Sequence, residues 1–514
     1  MNLLDLFAIP LAETPAKAAL RFRGADGEEV SLSYAALYLA AERAAAGFAA
    51  RGLKRGDRIA FFLGNRPEFV IAYLAAIRLG AIVVPINLAY RKVELAHILS
   101  DAEPRLLLTE RDLLPIVAEV DAAARGSVEA TIVAEDFGAW PDGAPAPILT
   151  PPIDGSELAF LLYTSGTTGR SKGAEIRHDN LLATITGLLA AWAWESRDIL
   201  LLALPLFHTH GLVVGLHCAL AAGATVELRR KFEAQTIAAD LTAADPAHRP
   251  TLFFGVPTMY VRLVEALADP AVDRSPLARM RLFCSGSAPL APETFEAFRE
   301  LSGHAILERY GMTEAGMILS NPYVGERRAG TVGTPLPGIS VRLVRFAEGS
   351  FSDVPDGEEG ELIVRGGNVF DGYWRAPEKT AESFVSDAQG NRWFKSGDLA
   401  RRDPQTGAIS LLGRSSELIL AGGFNVYPRE IEEVLLGFPG VREAAVVGRP
   451  HPDFGAVPVA FLVVDSAETS FDAQALIEFA KERIASFKVP REIRQVESLP
   501  RNALGKVQKH LLPR

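Results

Sequence analysis

Apolar and polar positions alternate between two periods along the first four hundred residues. The short apolar run 57–63 predicts a buried strand. Pro67 then opens a helical spacing through Phe69, Tyr73, Ile77 and Leu79, which Gly80 closes. Residues 81–86 predict the next strand, 93–99 a helix and 105–108 another strand. After residue 150 the pattern returns, with strands expected at 158–163, 199–204, 251–255, 282–284 and 305–307 and helices between them. This order predicts an α/β fold: mostly parallel sheets with helices on both faces. From about Gly360 the style changes. Segments 361–364 and 409–412 read as short strands between Gly-rich turns, a β-rich subdomain. Residues 415–514 read as a small α+β unit. Pro428 stands at the start of a helix, where its missing N–H is harmless, and the helix runs over 429–436. Strands are expected at 444–447 and 457–464 and a helix at 473–485. The boundary is placed near 414–416, giving units 1–414 and 415–514. The Ala/Pro-rich piece 140–152 reads as a loop or linker, and no internal repeat is visible.

Composition narrows the class. Hydrophobic residues make up 48% and charged residues 23%, as in ordinary soluble globular chains. The 63 acidic against 53 basic side chains leave a net charge of −10, which carries no electrostatic footprint for nucleic acid. Any phosphate must therefore be held locally. Cys218 and Cys284 lie far apart and in no metal-ligand spacing, so a reducing compartment is expected. Asp5 stands where a secretory signal would carry positive charge. The longest apolar stretch, 211–226, contains His217 and is shorter than the ~20 residues of a membrane span. A soluble, cytoplasmic protein without membrane partners is expected.

The sharpest local feature follows the apolar run at 158–162. It reads Tyr163-Thr164-Ser165-Gly166-Thr167-Thr168-Gly169-Arg170-Ser171-Lys172-Gly173. Glycines let consecutive backbone N–H groups converge on an anion, hydroxyls add donors and lysine adds charge. That combination suits a polyphosphate. The spacing is not that of the P-loop, because Ser171 stands five residues after Gly166 where glycine is needed.

This run resembles the adenylate-forming superfamily of acyl-CoA synthetases, luciferases and peptide-synthetase adenylation domains. The resemblance covers nearly the whole chain, and its motifs come in the family's order. After the loop come Leu204-Pro205-Leu206-Phe207-His208-Thr209-His210-Gly211 and Ser285-Gly286-Ser287-Ala288-Pro289-Leu290. Glu308-Arg309-Tyr310-Gly311-Met312-Thr313-Glu314 follows, then Ser396-Gly397-Asp398, Gly413-Arg414, Gly422-Gly423-Phe424-Asn425 and Pro500-Arg501-Asn502-Ala503-Leu504-Gly505-Lys506. The resemblance implies a large N-terminal region and a small mobile C-terminal lid. It also implies two-step chemistry: a carboxylate attacks the α-phosphate of ATP, and CoA then displaces AMP.

The resemblance further implies roles. Residues 164–172 would hold the β- and γ-phosphates. Glu314 would ligate Mg²⁺, a hard cation that prefers carboxylate and phosphate oxygens. Tyr310, Thr313 and Arg414 would frame the nucleotide, and Asp398 would accept both ribose hydroxyl protons. Lys506 would bridge the attacking carboxylate and the α-phosphate. From residue 485 on there are seven Lys/Arg against two Glu, which suits a lid closing over phosphates. His208 would lie by the acyl carboxylate, whereas His210 and His217 carry no such implication. Gly422 and Gly423 would let the pantetheine arm of CoA pass close to the backbone. The hinge position, usually Lys or Asp in relatives, is Ser416, which can also absorb a backbone rotation. An acetyltransferase and a deacetylase acting on Lys506 are conceivable partners, because acetylation removes its charge.

The acid is suggested by two departures. Arg309 stands just before the Tyr-Gly-Met-Thr-Glu run, where relatives that take monocarboxylates have a small or neutral residue. Ser287 stands where many have glycine. A guanidinium in the acyl pocket needs an anionic partner, and the second carboxylate of malonate could be one. These motifs, with Ser320-Asn-Pro-Tyr, resemble malonyl-CoA synthetases; methylmalonate is a second candidate. Alternatively Arg309 pairs with Glu308 or another carboxylate and supports the strand only. Other readings are a synthetase for another short or medium acid, a peptide-synthetase module, a luciferase-type oxygenase and a non-catalytic nucleotide binder.

Overall fold

Two parallel-rich sheets build the main body. In the first, strands Ala130–Val133, Leu106–Thr109, Arg58–Phe62, Ile82–Pro85 and Leu158–Thr164 run parallel, and Lys172–Arg177 closes the edge antiparallel to the last of them. In the second, Ala18–Arg23, Thr225–Arg229, Ile199–Leu202, Leu252–Gly255, Leu282–Ser285 and Leu307–Met312 run parallel, with antiparallel strands at both edges. The structure, a computed structural model, describes residues 2–24, 27, 29–139, 152–164, 171–243, 248–347, 350–421, 424–451, 454–464, 471–502 and 505–513.

Strands Ile82–Pro85 and Leu106–Thr109 are buried along their whole length, as a sheet covered by helices on both faces requires. Helix Pro67–Arg78 begins on its proline and buries Phe69, Val70, Tyr73 and Ile77 against that sheet. After strand Ile199–Leu202 the chain enters a π-helix, His210–His217, a geometry often found at functional sites. A Cβ on Gly211 would lie 2.3 Å from the carbonyl oxygen of Pro205, so only glycine fits where this segment folds back.

A third sheet is antiparallel throughout: Ser350–Asp353, Ile339–Ala347, Glu359–Gly366, Arg392–Arg402 and Phe384–Ser386 in order, with Ile409–Arg414 also pairing to Arg392–Arg402. The next strand, Ile419–Ala421, belongs to a different sheet, shared with Phe424–Val426, Gly455–Val464, Val441–His451 and Glu492–Gln495. Helices Pro428–Leu436 and Ala473–Lys481 bury Ile431, Leu435 and Leu476 in that unit's own core. The chain thus changes sheets across Ser415–Glu417.

Several expected elements were shorter or longer than observed. The strand expected at 305–307 begins at Leu307 and runs to Met312, so the Glu-Arg-Tyr-Gly-Met motif is itself strand. The helix expected to reach 485 stops at Lys481, where the N–H groups of Arg483 and Ile484 both turn onto the carbonyl of Ala480. Most of the expected linker, 140–151, lies outside the described residues. Both cysteines are free and buried. Among the described residues no helix is long and apolar enough to cross a membrane.

Candidate active site

The C-terminal ends of the parallel strands converge with the antiparallel sheet and the lid. This is where open α/β sheets place ligands. Strand Leu158–Thr164 and strand Lys172–Arg177 form a hairpin that sets Thr164 opposite Lys172. Ser165, Gly166, Thr167, Thr168 and Gly169, between them, lie outside the described residues. The Thr164 hydroxyl donates to Oε1 of Glu314 at 3.3 Å, and Tyr373 donates to the same oxygen at 3.0 Å. The Lys172 amine sits 5.4 Å from the centre of the Tyr373 ring. Glu314 is buried in a 3₁₀ turn with Thr313. A single carboxylate together with phosphate oxygens is how Mg²⁺ is commonly held. Among the described residues no cluster of three or more His, Cys, Asp or Glu side chains could hold a metal by itself.

Asp398 and Arg414 are cross-strand partners on neighbouring antiparallel strands. Arg414 Nε lies 2.9 Å from Oδ1 of Asp398, and Arg414 Nη1 donates to the Ser396 carbonyl at 2.8 Å. The Tyr310 hydroxyl donates to Oδ2 of Asp398. Burial, and then the Asp398 charge, push the Tyr310 hydroxyl well above its ordinary pKa, so it stays a donor. Gly397 has φ +71, a left-handed conformation that glycine supplies without strain just before Asp398.

Lys506 belongs to a tight turn built from its own neighbours. Asn502 donates from its backbone to the Lys506 carbonyl at 2.9 Å, and its side-chain oxygen accepts the Lys506 N–H at 2.9 Å. Arg501 donates to the Gly505 carbonyl and pairs with Glu443 at 2.7 Å. Gly505, at φ +77, seats against the main body: a Cβ there would lie 3.1 Å from the Thr258 hydroxyl. The Lys506 side chain still reaches solvent. Partial desolvation in the cleft and the Arg414 charge lower its pKa, while Asp398 and Glu417 oppose them. The amine therefore feels the charges of the Asp398–Arg414 pair across the boundary between lid and main body. The hinge candidate Ser416 is exposed in the 3₁₀ turn Ser415–Glu417. Gly422 and Gly423 lie outside the described residues.

A second cluster is built around Arg309. Strands Leu282–Ser285 and Leu307–Met312 pair with Ser285 opposite Glu308, which brings Gly286 beside Arg309. A Cβ on Gly286 would lie 2.4 Å from the guanidinium carbon, so glycine is needed for the guanidinium to lie across the backbone. Arg309 is 4% exposed, and its Nε and Nη2 have no hydrogen-bond partner. Burial lowers its pKa, and the Cys284 thiol, a weak partner, opposes that. Among the described residues it makes no ion pair; Glu308 instead accepts the Gly330 N–H at 3.3 Å. Ser287, at φ +70, is one of four non-glycine residues with positive φ among the described residues, a strained backbone position.

Two histidines complete this wall. The His210 N–H donates to Nδ1 of His208 at 3.2 Å, which leaves the His208 proton on Nε2. Burial and the nearby Arg309 hold His208 at a pKa of about 4, so it is a neutral donor near pH 7. The Ser287 hydroxyl lies 3.3 Å from Nδ1 of His210, and the buried Nε2 of His210 has no partner. His217 is elsewhere, stacked on Tyr73 and Phe160 at centroid distances of 5.1 and 6.2 Å.

An AMP-binding enzyme family profile matches residues 7–374, and the C-terminal domain profile of the same enzymes matches residues 430–506. The chain belongs to the AMP-binding enzyme family. It is an AMP-forming acyl-CoA synthetase of the adenylate-forming superfamily. This AMP-binding enzyme is 35% identical over 506 residues to a mitochondrial malonate–CoA ligase of Bos taurus, covering 90% of this chain and 82% of that one. It is 34% identical over 501 residues to a feruloyl-CoA synthase of an Amycolatopsis species, covering 96% and 95%. ATP-bound MatB of Rhodopseudomonas palustris superposes with a TM-score of 0.89 at 39% identity, covering 100% of this chain and 98% of that one. Its apo form, at 40% identity and the same coverage, gives 0.79.

Two groups in this AMP-binding enzyme's site escaped the sequence reading. His210 sits in the same motif as His208 and opens the π-helix, and both feel the charge of Arg309. Tyr373 follows a glycine in a stretch with no chemical signature, and a crossing of sheets brings it to Glu314. Glu308 supplies a test of burial on the same strand. Its carboxyl is pushed up to about 7, chiefly by burial, with Arg429 opposing. A carboxyl raised in the folded state destabilises the fold as pH rises from its unfolded pKa toward 7. Glu308→Gln therefore raises Tm more at pH 8 than at pH 5, as thermal melts of the two proteins would read. An equal change at both pH values contradicts this.

Proposed function

We propose that this enzyme forms malonyl-CoA from malonate, ATP and CoA through a malonyl-adenylate. The observation that carries the choice of acid is Arg309, a buried guanidinium with two unpartnered nitrogens beside His208, His210 and Ser287. A buried charge without a partner is strongly unfavourable. A small diacid supplies the partner and leaves its other carboxylate free to react. Methylmalonate has the same pair of carboxylates one methyl larger.

In the first step a carboxylate oxygen attacks the α-phosphorus, the bond to the β-phosphate breaks and pyrophosphate leaves. Thr164, Lys172 and the loop 165–169 would hold the phosphates. Asp398, Tyr310, Thr313 and Arg414 would hold the nucleoside. Lys506 would place its charge between two approaching anions, a use of preorganised charge that favours the transition state over the ground state. Mg²⁺, held by Glu314, would neutralise phosphate charge. The Nε2–H of His208 would orient the reacting carboxylate. In the second step the CoA sulfur bonds to the acyl carbon, the bond to AMP breaks and the thiol proton is released. Gly422 and Gly423 would line the pantetheine path, and Ser416 would carry the hinge. The free cysteines fit a cytoplasmic setting. Acetylation of the exposed Lys506 would silence the first step.

A panel of malonate, methylmalonate, butyrate and ferulate with ATP, Mg²⁺ and CoA, scored for AMP, tests the assignment. Malonate is expected to exceed butyrate by about a thousandfold or more in kcat/KM, because butyrate leaves the buried polar groups unpaired. The feruloyl-CoA synthase relative keeps an aromatic acid as the second reading, and turnover of ferulate at the malonate rate would select it.

A further inference from the structure

The lid meets the main body through side chains that no step of the proposed chemistry uses. Tyr427, just ahead of helix Pro428–Leu436, is buried, and its hydroxyl donates to Oε2 of Glu359 on the antiparallel sheet. The other Glu359 oxygen accepts from Arg401 at 2.6 Å. Two residues further on, Arg429 donates from Nη1 to the Leu411 carbonyl at 2.8 Å and from Nε to Glu433 at 2.8 Å. The Arg429 side chain is only 13% exposed. Both contacts cross from the lid to the main body, and the two lid residues sit within fifteen residues of the linker turn at Ser415–Glu417. Among the described residues a further cross-body ion pair, Arg442–Glu265, is long at 3.9 Å and solvent-exposed on both sides, so it contributes little.

Contacts that bridge two bodies stabilise the pose in which they form against every other pose. A hydroxyl on a carboxylate in an enclosed contact is one of the stronger hydrogen bonds. In this pose Lys506 feels the charges of Arg414 and Asp398.

We propose that Tyr427 and Glu359, backed by Arg429 on the Leu411 carbonyl, form a latch that holds the lid in the acid-activating pose. They are positioning residues, acting through Lys506. The inference rests on the adenylate-forming reading and not on the choice of malonate.

Two half-reactions test it in the full-length protein: malonate-dependent pyrophosphate release, and malonyl-CoA formation from supplied malonyl-adenylate. Tyr427→Phe removes the hydroxyl and keeps the buried ring. It is expected to slow the first half-reaction about tenfold and leave the second unchanged or faster. Glu359→Gln keeps an acceptor oxygen without the charge and gives a smaller loss of the same kind. The double variant is no slower than Tyr427→Phe alone, because the two residues share one contact. Parallel loss in both halves, an unchanged first half, or additive losses would overturn the latch. Wild-type pyrophosphate release is the separate control. Its failure with malonate sinks the choice of acid, and the latch is then tested with the acid the panel selects.

Discussion

Lys506→Ala lowers acid-dependent pyrophosphate release by about a hundred- to a thousandfold, while malonyl-CoA formation from supplied malonyl-adenylate keeps its rate. The first step drives a carboxylate onto a polyphosphate, and a positive charge between them acts mainly on the transition state. The second step joins a thiol to an activated carbonyl and places no such demand at that position. The amine is the one feature of the tail turn that the substitution removes. The turn itself closes through Asn502 and through Arg501 with Glu443, all of which remain. Lys506→Arg retains charge and should recover part of the rate, with the shortfall measuring geometry. Because desolvation and Arg414 lower the Lys506 pKa, the first half-reaction should begin to fall below the alkaline range of an ordinary lysine. Equal loss in both half-reactions of Lys506→Ala would refute this division of labour.

Arg309→Ala abolishes the preference for malonate over butyrate, mainly by lowering kcat/KM for malonate. Removing one member of a buried charge pair costs about 3–5 kcal/mol, roughly two to three and a half decades in rate. Butyrate, which has nothing to offer the guanidinium, loses no contact. The same residue should show its strain in the substrate-free protein. A buried guanidinium with two unpartnered nitrogens and no ion pair among the described residues opposes folding, so Arg309→Met, which refills the space with an apolar chain, raises Tm in the absence of malonate. Malonate should raise the Tm of the wild type and not of this variant. Butyrate still rejected by Arg309→Ala would place the selectivity elsewhere.

The division between what the chain reads out locally and what it does not can be followed residue by residue. The strands at 57–63, 81–86 and 105–108 and the helix opened by Pro67 were legible, because burial on both faces writes continuous apolar runs and Pro and Gly punctuate them. The edge hairpins were harder. Antiparallel strands such as Lys172–Arg177 carry mixed polarity, and their pairing is decided by distant neighbours. The Tyr163–Gly173 and Glu308–Glu314 runs stand out in the sequence as candidate chemistry, because a cluster of hydroxyls, glycines and charge has few other uses. Tyr373 on Glu314, Tyr310 on Asp398 and Tyr427 on Glu359 were not, because each joins segments more than fifty residues apart.

By itself, then, the order of residues determined which side chains are available for an acid, a nucleotide and a thiol, and that the chain folds as layered sheets with a small appended unit. Whether Arg309 pairs with a carboxylate or is left with unpartnered nitrogens was decided only in three dimensions. Successive residues on a strand point to opposite faces, and the neighbouring strand places Gly286, not a carboxylate, under the guanidinium. The approach of Lys506 to Asp398 was decided in the same way. It depends on how two separately cored bodies dock, through contacts that no local pattern encodes.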